Sequence, residues 1–87
     1  MRIWFKLIRD NRLLRDTTVT DESDETRTHK IFGALDAVCY EFDLGKPVWL
    51  DANIEEFKRH AKTRFSQDCF MEEIPFDFLE MQVIEED

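Results

Sequence analysis

Arg2-Ile3-Trp4-Phe5-Lys6-Leu7-Ile8-Arg9, then Asp10-Asn11, then Leu13-Leu14-Arg15-Asp16-Thr17-Thr18-Val19-Thr20 is the stretch on which the fold turns. Both outer runs are rich in branched and aromatic residues that fit a pleated surface. Asp10 and Asn11 tolerate the left-handed backbone of a tight turn, so the pattern predicts a β-hairpin over 2–9 and 13–20. Alternation puts Ile3, Phe5, Leu7 and Val19 on one face, and Trp4, Lys6, Asp16 and Thr18 on the other.

Outward from the hairpin, Asp21-Glu22-Ser23-Asp24-Glu25 reads as a helix entry. Ser23 or Thr26 can take the N-cap, and carboxylates suit the positive end of the helix dipole. The helix is expected to run to about Leu44, with Gly45 as its stop and Pro47 beyond. At helical spacing Ile31, Ala34, Leu35, Val38, Cys39 and Phe42 share one apolar face, which is core. Pro47-Val48-Trp49-Leu50 reads as an extended segment or brief strand. Asp51 and Asn53 offer a cap for a second helix over about 54–64, with Ile54, Phe57, Ala61 and Phe65 facing inward. Residues 66–77 read as irregular, and 78–84 as a strand in which Leu79, Met81 and Val83 alternate with Glu80 and Gln82. The order β-β-α-(β)-α-β predicts an α+β fold. It has an N-terminal β-hairpin, two helices on one face of a small, mostly antiparallel sheet, and a C-terminal strand.

The chain has 87 residues, one domain's worth at 1–87. Hydrophobic residues make up 43% and charged residues 37%, a globular balance rather than a disordered one. Twenty acidic against twelve basic residues give a formal charge of -8, which argues against a basic nucleic-acid-binding surface. Gly33 and Gly45 are the only glycines, which excludes glycine-rich phosphate loops and dinucleotide fingerprints. Two cysteines are too few for a disulfide framework, and no apolar run fits a secretory signal or a membrane span. The expectation is a cytoplasmic protein with reduced thiols and no membrane contact.

Around Thr28-His29-Lys30-Ile31-Phe32, Tyr40-Glu41-Phe42-Asp43-Leu44, Lys46-Pro47, Trp49-Leu50, Lys62-Thr63-Arg64-Phe65 and Val83-Ile84-Glu85-Glu86-Asp87, the chain resembles a group of short bacterial proteins of uncharacterised function. The resemblance covers most of the chain and implies a small intact protein. It brings no active site, cofactor or partner with it.

Chemistry is hard to find along the chain. His29, Cys39, His60 and Cys69 are the whole Cys/His inventory, and their spacing matches no zinc pattern. Cysteine catalysis would need Cys69 with His60 as base, but Asp68, Glu72 and Glu73 surround the thiol and oppose its ionisation. Ser23 and Ser66 lack a nucleophile's glycine-flanked turn. Glu55-Glu56 and Glu72-Glu73 are adjacent pairs that diverge rather than converge on one atom. The basic run Lys58–Arg64 reads as a phosphate strip, or more simply as cations closing a helix whose Glu55 and Glu56 pair with Arg59 and His60. Residues 65–87 carry eight carboxylates and no Lys or Arg; they read as an acidic surface or as an imitation of a phosphate backbone. No catalytic residue, metal ligand or cofactor is assigned.

The residue set singled out for binding is His29, Gly33, Asp36, Ala37 and Tyr40, on the first helix away from its core stripe. A face turned only to water would carry Lys, Glu and Arg, and a glycine inside a helix asks for a packing reason. The competing reading makes Gly33 a tolerated defect and packs Tyr40 beside the C-terminal segment. The expected function is a small acidic non-enzymatic interaction protein that binds a protein partner or itself. The alternative is a nucleic-acid-related role, by mimicry or through residues 58–64, and an unrecognised enzyme stands third.

Overall fold

The computed structural model describes residues 1–87. β1 (Arg2–Arg9) and β2 (Arg12–Thr20) form the antiparallel hairpin, with Ile3 opposite Val19 and Trp4 opposite Thr18. Asp10 and Asn11 lie at φ 52° and 61°, the left-handed pair that matches the strands' twist. Leu7 faces Arg15 while Ile8 faces Leu13, so Leu14 is the extra residue of a bulge.

α1 (Arg27–Glu41) starts at Thr26, whose Oγ1 accepts the His29 N–H at 3.2 Å. Its stripe of Ile31, Ala34, Leu35, Val38 and Cys39 is buried, and Phe42 with it. The helix ends before the expected Leu44, and Gly45 is not its stop. Asp43 takes the left-handed position at φ 56°. Asp43 N–H donates to Tyr40 O at 3.2 Å and Leu44 N–H to Cys39 O at 2.8 Å, the paired bonds of a Schellman motif.

Residues 47–50 are extended without forming a strand; Val48 N–H donates to Cys69 O at 2.7 Å. α2 spans Asp51–His60 rather than 54–64. Ala61, at φ 52°, breaks the helix, and the residues expected to continue it become β3 (Lys62–Ser66). Phe57 is buried as expected and Phe65 is buried on a strand, but Ile54 is exposed and Asn53 takes the inward place. A single 3₁₀ turn, Gln67–Cys69, leads through irregular chain to β4 (Phe78–Glu85).

The sheet order is β2-β1-β4-β3, antiparallel throughout. Ile3, Phe5 and Leu7 from β1, Leu79 and Met81 from β4, and Phe65 from β3 share one cluster with the inward faces of both helices. The helices therefore cover one face of the sheet, as the sequence predicts. On the open face Asp16, Lys6, Glu80 and Arg64 stand opposite one another across all four strands, charges alternating in sign. Lys6 Nζ meets Glu80 Oε2 at 2.7 Å and Arg64 Nε meets Oε1 at 3.0 Å. Trp4 Nε1 donates to Asp16 Oδ2 at 2.9 Å, and Lys6 lies over the Trp4 ring. No helix is long and apolar enough to cross a membrane.

Candidate interaction site

Trp49 is the residue around which the site forms. The backbone bond from Val48 to Cys69 fixes the linker that carries it. Its indole packs edge-on against Phe65 at 5.0 Å, Phe57 at 5.6 Å and Phe32 at 5.9 Å between ring centres, the geometry aromatic quadrupoles favour. The indole N–H is buried without an acceptor. Outward from this stack, α1 and α2 leave a cleft of about 270 Å³ walled by Ile31, Phe32, Trp49, Ile54 and Phe57. Phe32 and Ile54 remain 46% and 39% exposed, so the cleft opens on a surface that is itself apolar.

Arg27, Thr28 and Lys58 supply the polar part of the wall. Arg27 is held in place: its Nε and Nη2 donate to Glu86 at 3.1 and 3.0 Å, and its guanidinium lies over the Phe57 ring. The shared hydrogen bonds raise the Arg27 pKa and lower that of Glu86. Lys58 forms no ion pair and stays exposed, leaving one free cation beside an apolar slot.

Asn53 organises the floor beneath. Its Oδ1 accepts the Leu50 N–H at 3.0 Å, and its Nδ2 donates to Thr63 Oγ1 and Arg64 O, both at 2.9 Å. Cys69 Sγ donates to the same Oδ1 at 3.4 Å. Asn53 caps the helix start, as its position predicts, and it is also buried, 6% exposed. A buried amide with its bonds satisfied ties α2, β3 and the 3₁₀ turn into one unit.

The five residues singled out on α1, His29, Gly33, Asp36, Ala37 and Tyr40, are all exposed and share one side of the helix. His29 Nδ1 lies 2.9 Å from Glu25 Oε2, and Asp36 pairs with Lys46 at 3.4 Å. A Cβ added at Gly33 would meet nothing within 4 Å, so no contact inside the chain requires glycine there. Tyr40 is 90% exposed, which rules out its packing beside the C-terminal segment. Phe32, Trp49 and Ile54 escaped the sequence reading because they come from three different segments. The one available signal was Phe32, a large apolar residue outside the core stripe.

Both thiols are poor nucleophiles where they stand. Burial pushes Cys39 up to about 11, with the Asp36 charge adding to it, and burial also raises Cys69. His60, the base considered for Cys69, is exposed at the end of α2. No group of three or more His, Cys, Asp or Glu residues is placed to hold a metal ion.

The basic run is not one strip. Lys58, Arg59 and His60 close α2, the chain turns at Ala61, and Arg64 on β3 is committed to Glu80. The Glu55–Arg59 and Glu56–His60 pairs are not among the ion pairs formed. The acidic block is equally dispersed. Glu72 and Asp77 accept backbone N–H bonds from Gly45 and Asp10. Glu80, Glu85, Glu86 and Asp87 pair with Lys6 and Arg64, Arg2, Arg27, and Lys30 respectively. Six of the eight carboxylates are thus engaged internally. No protein-family model, curated protein or solved structure matches the chain.

Proposed function

We propose that this is a non-enzymatic interaction protein that grips an apolar side chain of a protein partner in the cleft between α1 and α2. The observation that carries it is the open aromatic slot of Ile31, Phe32, Trp49, Ile54 and Phe57. Small soluble chains ordinarily cover such surface, and where it stays open it serves recognition. Lys58, a free cation in a chain of charge -8, favours a carboxylate next to the apolar anchor on the partner. The two free, buried cysteines suit a reducing compartment such as the cytoplasm.

Affinity capture from the native host tests this with three variants beside the wild type. Ile54→Glu and Phe32→Glu place a charge in the slot and are expected to abolish recovery of the partner. Met71→Glu changes a residue that is 96% exposed and outside the cleft, and is expected to recover it normally. Lys58→Glu is expected to weaken capture most at low salt. Equal recovery by wild type, Ile54→Glu and Phe32→Glu would rule out the cleft.

A further inference from the structure

One edge of the sheet is open along its length, and the other is bonded at its centre. Asp21 N–H donates to Met1 O at 2.9 Å, and the register continues through Ile3–Val19, Phe5–Thr17 and Leu7–Arg15. Antiparallel alternation then turns the N–H and C=O groups of Asp16, Thr18 and Thr20 away from β1. No strand lies beyond β2, and no turn or loop of the chain bonds these groups. On the opposite edge Asn53 Nδ2 donates to Arg64 O at 2.9 Å, so a side chain of α2 takes the central outward carbonyl of β3.

We propose that β2 is the docking strand for a second copy of this chain, paired antiparallel about Thr18, so that two four-stranded sheets become one. A two-fold axis perpendicular to the sheet reverses the strand and keeps its faces, as an isologous contact requires. In that register Thr18 meets its own copy, Asp16 meets Thr20, and Arg15 meets Asp21 twice by symmetry. The Thr–Thr and Arg–Asp pairings are favourable for side chains directly opposite. The charge order along the chain selects it: Arg12 and Arg15 precede the open segment, and Asp21, Glu22, Asp24 and Glu25 follow it. An antiparallel copy lays each basic end against the other's acidic end. A register centred on Asp16 would set that carboxylate against itself. Arg15 lies over the Phe42 ring at 4.3 Å and reaches Glu41 only at 4.0 Å; at 54% exposed, it meets Asp21 of the second copy by leaving that surface stack.

The face singled out on α1 falls in the same place. Glu41's contact with Arg15 marks the side of α1 that looks over β2. Ala37, Gly33 and His29 lie on the same i, i+4 row as Glu41. The axis keeps all four helices on one face of the joined sheet and sets the two α1 helices side by side. Small residues at Gly33 and Ala37 leave room for that approach, and open space is what Gly33 now faces.

Sedimentation over a concentration series reaching the high micromolar range reads the result directly. The wild type is expected to reach twice the chain's mass. Thr18→Pro removes an outward N–H and no bond to β1; it is expected to raise the dimer dissociation constant roughly tenfold or more with far-ultraviolet circular dichroism unchanged. Arg15→Asp and Asp21→Arg are each expected to weaken the dimer, and the two together to restore it. That exchange decides the matter should Thr18→Pro fail to fold. A wild type that stays monomeric overturns the proposal, as does a dimer indifferent to both Thr18→Pro and the single charge reversals. A dimer split by Gly33→Arg alone places the contact on the helices and overturns strand pairing. Ile54→Glu is expected to leave the dimer intact, which separates this surface from the cleft.

Discussion

Glu80 points to the open face of the sheet and is nevertheless only 4% exposed, because Lys6 and Arg64 close over it from the neighbouring strands. Burial alone would raise its pKa, but the hydrogen bonds from Lys6 and Arg64 outweigh that and hold it below the ordinary 4.5. A carboxyl with a depressed folded pKa stabilises fully above its unfolded value, and that stability is lost as pH falls through the folded one. Glu80→Gln is expected to lower stability by about 1–3 kcal/mol at neutral pH, the scale of a hydrogen bond to a charged group. It should also flatten the loss of stability below the ordinary carboxylate range, as urea unfolding at neutral and acid pH would show. Equal acid sensitivity in variant and wild type would mean other carboxylates dominate. Ala61 is strained in the opposite sense, a residue with a Cβ at φ 52°. Ala61→Gly relieves that contact and is expected to raise stability by about 1 kcal/mol, seen as a higher melting temperature.

α1 anchors the layer of helices through Leu35 and Val38, 3% and 1% exposed. Leu35→Ala is expected to cost about 2–5 kcal/mol in chemical denaturation, since the cavity adds to the lost burial. The hairpin and this helix were legible in the sequence because one side of each is buried, so burial writes its period into the residues. α2 was half legible. Its basic C-terminal run looked like a favourable helix end, which hid the alternation of Thr63 and Phe65 that makes β3. What ends α2 is tertiary: β4 offers an unpaired edge, and Ala61 bends to let residues 62–66 take it. Gly45 misled the placement of α1's end for a local reason, as Asp43 took the left-handed position without needing glycine. Of the site, the exposed row from His29 to Tyr40 was legible from spacing on one helix. The cleft was not, because Phe32, Trp49 and Ile54 come together only through packing.

At the scale of the molecule, the helices on one face and the charge row on the other make the two sides of the sheet unlike. Two copies joined along β2 would carry both clefts on the same side, so a partner with two apolar anchors would bind far more tightly than one with a single anchor. The strand order has another consequence. β4, near the end of the chain, occupies the middle of the sheet between β1 and β3. During synthesis the hairpin emerges first, yet Phe5 and Leu7 cannot gain their central neighbour until residues 78–85 have left the ribosome. The apolar face of a nascent chain therefore waits for a non-local pairing, of the kind that closes late. Chains stalled before Phe78 would hold two separate edges and an uncovered core, which marks them for chaperones and proteases rather than for a shorter version of the same fold.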